Sequence, residues 1–99
     1  MSMNDDIKKF PVYILYAGKL QSAQWVRDTG TYDHYNWHLH HYVKQQQWKR
    51  NEEKLRAKGV EQKLVLLPIQ CHIDLHNCVR NFKEKYGIDR SELLYGARL

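Results

Sequence analysis

An α+β domain is the fold this sequence predicts, and three features predict it. Residues 10–16 and 63–67 are short apolar stretches of strand composition, Phe-Pro-Val-Tyr-Ile-Leu-Tyr and Lys-Leu-Val-Leu-Leu. Gly18 follows the first of them as a turn residue before Leu20–Val26, which reads as an N-terminal β-hairpin. Beyond Pro68 the apolar positions switch to helical spacing, at Cys71, Leu75, Cys78, Val79, Phe82 and Tyr86.

The totals bound the rest. Ninety-nine residues suggest one small domain with a modest core, placed at 10–99 and preceded by a polar, flexible segment over 1–9. A charged fraction of 27% and a hydrophobic fraction of 42% describe a globular chain. No apolar run is long enough to span a bilayer, and MSMNDDIKKF has no signal-peptide core, so the expectation is a soluble cytoplasmic protein without a membrane partner. Sixteen Lys and Arg give a net charge of +5, which suits a polyanion as partner and equally suits plain solubilising charge. The two cysteines, Cys71 and Cys78, would sit roughly 10 Å apart along one helix, too far for a disulfide. They read as small buried apolar residues of a reducing compartment.

After the hairpin, Asp28-Thr29-Gly30 marks a turn. Residues 31–43 then carry four of the six histidines: His34, His38, His40 and His41. The aromatic and β-branched neighbours favour a strand from about Trp37 to Val43. On a strand His38 and His40 share one face, while Leu39 and His41 share the other. Residues 44–58 are rich in Lys, Arg, Gln and Glu and predict a helix that stops at Gly59. Its Lys44, Lys49, Arg50, Lys54 and Arg56 read as a solvated face or as a basic arm along a nucleic-acid backbone.

The short strand 63–67 feeds a long helix expected over Ile69–Tyr86, with Pro68 in its first turn and Gly87 as its stop. His72 and His76, four apart, project from one face of that helix, along the rim between its apolar stripe and solvent. Two histidines so placed can hold one divalent metal. Arg80 and Lys83 lie further along the same edge. Asp89-Arg90-Ser91-Glu92 reads as a capping box that opens a short C-terminal helix.

Two segments, Trp37-His38-Leu39-His40-His41-Tyr42-Val43 and Lys63-Leu64-Val65-Leu66-Leu67-Pro68-Ile69-Gln70-Cys71-His72-Ile73-Asp74-Leu75-His76, resemble the ββα-metal motif of the HNH endonucleases. The motif covers 37–76, within a ββα core of about 37–86. The resemblance implies a metal-dependent endonuclease that hydrolyses DNA phosphodiester bonds. It implies one divalent cation (Zn, Mg, Mn or Ni) held by His40, His72 and His76, as in the all-histidine site of colicin-type DNases. His41 is implied as general base, since an imidazole can take a proton from water at neutral pH. Adjacent strand residues point to opposite faces, so His40 and His41 serve together only where the strand twists or ends. His38 is an accessory position, either a ligand in place of His40 or a support for the base.

Two positions depart from the family pattern. The asparagine falls at Lys63, with Gln62 just ahead as a candidate to supply the amide and Lys63 a candidate to touch a phosphate. Pro68 stands where a first structural cysteine often does, which implies no accessory zinc. Arg80 and Lys83 join Lys63 as candidate substrate contacts. So small a chain is similar to phage or mobile-element nucleases, with a protein partner or a homodimer as ways to choose the cutting site. The alternative is a catalytically weak, zinc-holding HNH-like module that binds DNA or regulates.

Overall fold

A computed structural model of the chain describes residues 3–97. Helix α1 (Met3–Lys9) leads into strand β1 (Val12–Tyr16), strand β2 (Lys19–Ser22) and helix α2 (Gln24–Thr29). Strand β3 (Trp37–His41), helix α3 (Gln45–Ala57), strand β4 (Leu64–Pro68) and helix α4 (Ile69–His76) follow. Two short helices, α5 (Phe82–Tyr86) and α6 (Arg90–Leu93), complete the described chain. The fold is α+β, as the sequence predicts. None of the described helices is long and apolar enough to cross a membrane.

The four strands form one mixed sheet in the order β2-β1-β4-β3. The hairpin β1–β2 is antiparallel, β1 and β4 are parallel, and β3 runs antiparallel to β4. Because β4 is central and covered on both faces, its sequence is a continuous apolar run, not an alternation. Leu64, Val65, Leu66 and Leu67 are all buried. Their side chains still divide by parity. Val65 and Leu67 join Cys71, Leu75, Phe82 and Leu93 in a core on the side of α4–α6. Leu64 and Leu66 join Ile7, Val26 and Leu39 in a second core on the side of α1 and α2.

This division decides where the histidines of β3 go. His38 and His40 pair with Leu67 and Val65, and so face α4; Leu39 and His41 pair with Leu66 and Leu64, and so face α1.

Several sequence expectations are corrected. Residues 3–9 form helix α1 with Ile7 only 1% exposed, because Ile7 fills the second core. Of the flexible segment expected over 1–9, residues 1 and 2 lie outside the described residues. Trp25 and Val26 lie in α2, not in the second hairpin strand, and Val26 is buried against the sheet. The single helix expected over Ile69–Tyr86 is two, α4 and α5, separated by a turn in which Cys78 takes φ 55°.

That turn has identifiable causes. Asn77 and Cys78 are weak helix formers. The Arg90 guanidinium caps the freed Leu75 carbonyl through Nη2 at 2.8 Å and Nε at 3.2 Å. Asp74 ties the two helices together, accepting from Lys85 Nζ at 2.7 Å and from the Tyr86 hydroxyl. The break turns Cys78 outward, so only Cys71 is a buried thiol. Pro68 ends β4 and serves as N-cap of α4, one position before the first turn. The capping box does not form; Asp89 makes no side-chain cap bond and pairs instead with Lys83 at 3.5 Å. Gly18 and Gly87, both at positive φ, bring the hairpin turn against the end of α5; a Cβ on Gly87 would meet the Gly18 Cα at 3.2 Å.

Candidate metal centre

His72 and His76, one turn apart on α4, bring their Nε2 atoms to 3.1 Å. His40 reaches them from β3, with ring centroids 5.1 Å from His72 and 5.4 Å from His76. The ligand-capable atoms of the three lie within 4.8 Å of one another, so the group can hold a metal ion. Nitrogens around one tetrahedral cation at about 2.1 Å are about 3.4 Å apart, a spacing that His72 and His76 approach.

The hydrogen bonds around His40 and His72 leave one lone pair on each of these two rings pointed inward. His40 Nε2–H donates to the Leu93 carbonyl at 2.7 Å, which leaves Nδ1 as its ligand atom. His72 Nδ1 lies 3.0 Å from His38 Nδ1; with His72 as donor, its Nε2 stays free beside that of His76. His38 is thus a support for His72, not a member of the ligand-capable trio. Burial, then the neighbouring His72 and His76, depress the His40 pKa to about 4. Burial, then His76 and His38, bring His72 to about 4 as well. Both rings are therefore neutral at neutral pH, the form in which imidazole binds a cation. The residues present fit a metal.

His41 is the last residue of β3 and lies on its other face. Its Nε2 is 3.1 Å from Asp6 Oδ2 on α1. Gln45 Nε2 also reaches Asp6 Oδ2 at 3.1 Å, so the carboxylate is the common acceptor and both groups donate to it. His41 Nδ1 is left with its lone pair. A shallow depression at the strand end is lined by His40, His41, Lys44, His72, His76 and Leu94 together. The strand's end is what allows neighbours of opposite facing to border one space.

Gln62 is 2% exposed and bonds the main chain of Val43 twice: Oε1 accepts its N–H and Nε2 donates to its C=O, each at 2.8 Å. Gln62 Oε1 also accepts the Lys63 N–H at 3.2 Å. The chain leaving His41 is thereby fastened to the chain entering β4. Lys63 places its Nζ 4.7 Å from the Tyr42 ring centroid and 5.8 Å from that of Tyr13. Burial lowers its pKa, and Glu92 opposes that shift. Arg80 and Lys83 border a cleft of about 680 Å³ that also includes Lys44 and Leu94, both of which line the histidine depression. His34 is exposed and stacks on Tyr32 at 4.1 Å, away from the cluster.

Sequence reasoning brought His40, His72 and His76 together and missed Asp6, Gln45 and the Leu93 carbonyl. A signal for Asp6 was present. Met3, Ile7 and Phe10 recur at spacings of four and three, which marks one amphipathic helical turn. No local pattern announces the Leu93 carbonyl, because its partner is 53 residues away. Compared with family models, curated proteins and solved structures, the chain matches none.

Proposed function

We propose that the protein is a metal-dependent endonuclease that hydrolyses DNA phosphodiester bonds at the histidine cluster. The observation that carries this reading is the convergence of three imidazoles beside His41, whose Nε2–H is held by Asp6. When bound, a divalent cation supplies positive charge to the scissile phosphate and the departing oxygen. His40, His72 and His76 would hold it through Nδ1, Nε2 and Nε2. His41 takes a proton from the attacking water at Nδ1, and Asp6 stabilises the imidazolium that results. Gln62 keeps the His41–Val43 segment in register, and the net charge of +5 favours a polyanionic substrate.

A plasmid-nicking assay with Mg²⁺, Mn²⁺, Ni²⁺ and Zn²⁺ tests the reading. Cleavage by the wild type, lost in both His41→Ala and His72→Ala, is the expected result. Absence of cleavage with every metal would sink it. A second reading, a zinc-holding module that binds DNA without cutting it, draws on one observation: Lys63 stands at the position of the HNH asparagine and rests its ammonium over Tyr42. That reading expects a bound metal and retained DNA binding in the same assay, with no nicked product.

A further inference from the structure

The cleft of about 680 Å³ beside the histidine cluster has a composition that a simple backbone-tracking groove would not need. Phe82 and Leu94, both buried, form an apolar floor, and Tyr95 adds an aromatic wall. Lys44, Arg80 and Lys83 supply cations at its border. Its size falls in the range of small-ligand pockets. Lys44 and Leu94 also line the depression that holds His40, His72 and His76, so the two spaces are neighbours.

We infer that this cleft takes an unpaired nucleotide of the DNA strand whose phosphate lies at the histidine cluster, an inference that rests on the reading proposed above. In a duplex the base faces are stacked on one another, so only base edges, sugars and phosphates reach a protein surface. A base enters an apolar, aromatic-walled cleft only when it is unpaired or turned out of the stack. Stacking on an aromatic ring accepts any base, while cations around it track the phosphates. The charges fit. Lys44 and Arg80 have no ion pair among the described residues. Lys83, itself exposed, meets the cleft's one acidic group, the partly buried Asp89, at 3.5 Å in a long pair that a phosphate can displace at little cost. The substrate class is therefore single-stranded DNA, or a duplex carrying an overhang, bulge or mismatch at the cut.

Binding without metal separates this inference from the hydrolytic one. The full chain in EDTA is titrated, by fluorescence anisotropy, into a labelled oligodeoxythymidine of about fifteen nucleotides and into a duplex of equal length. The single strand should bind about tenfold tighter or better. Tyr95→Ala should weaken it about tenfold and Tyr95→Trp should restore it. Lys44→Ala and Arg80→Ala should each lower the salt dependence of single-strand binding by about 0.7 in log–log slope. Both side chains are exposed, so these two variants report even where Tyr95→Ala fails to fold. Equal or tighter duplex binding overturns the inference, as does single-strand affinity indifferent to Lys44 and Arg80. Neither result depends on cleavage, so a protein that cuts nothing can still meet this test and a nuclease can fail it.

Discussion

The side-chain amide of Gln62 clasps the main chain of Val43 at both its N–H and its C=O, with both bonds at 2.8 Å. A glutamine thereby imitates one rung of a β-ladder at the point where β3 has ended. The clasp sits two residues from His41. Lys63 plays no part in that clasp through its side chain, whose ammonium lies over the Tyr42 ring.

Gln62→Ala should therefore cost about 2–4 kcal/mol, because two main-chain groups of the buried Val43 lose their partners. Urea unfolding measures it. Adding Lys63→Asn to that variant should recover little, since position 63 directs its side chain toward Tyr42 and Tyr13. A wild-type midpoint for Gln62→Ala would mean that the clasp is dispensable.

Metal content gives the most direct test of the cluster. Purified protein dialysed against Zn²⁺ and then buffer should retain one equivalent by elemental analysis. His40→Ala, His72→Ala and His76→Ala should each lose it, because two imidazoles rarely hold an ion that three were arranged to bind.

His38→Ala should behave differently from those three. His38 touches His72, not the ligand-capable centre, so the stoichiometry should stay at one while affinity falls about 10–100-fold. Competition with a chromogenic chelator reads that difference. Complete loss of metal would place His38 among the ligands.

His41→Ala should lower the nicking rate by about 10²–10⁴ and leave metal content unchanged. Asp6→Asn should lower turnover by a smaller factor, with little change in KM, because Asp6 hydrogen-bonds the imidazole and would act through it. If His41→Ala loses its metal, the division of roles between His40 and His41 is wrong.

Acid should destabilise the metal-free protein in a defined window. His40 has a folded pKa of about 4, against 6.5 for an ordinary histidine. Below pH 6.5 the unfolded chain gains a proton there that the folded chain refuses until about pH 4. Stability is thus complete above 6.5 and falls as pH drops from 6.5 to 4. The buried His40 ring alone contributes on the order of 3 kcal/mol; His72 acts in the same direction. Denaturant midpoints in EDTA across this range check the sign, and a flat profile would contradict it.

Much of this was legible in the chain itself. The hairpin around Gly18, the strand at Trp37, the α3 stop at Gly59 and the apolar run of β4 are local patterns, each written within a few residues. The pairing of His72 with His76 is also local, because a helix places residues four apart on one face. The break after His76 was not legible, since the apolar spacing continues through Phe82 while the Arg90 cap on Leu75 comes from fifteen residues away. Nor was the Gln62 clasp on Val43, which closes a span of nineteen residues.

The sequence by itself determined which residues can ligate and the parity that sends His40 and His41 to opposite faces. Tertiary structure alone decided what each histidine meets there: Leu93 O for His40, His38 for His72 and Asp6 for His41. The reason is physical. Periodicity fixes the direction of a side chain relative to its own backbone, but tautomer and charge depend on burial and on hydrogen-bond partners brought in by distant segments.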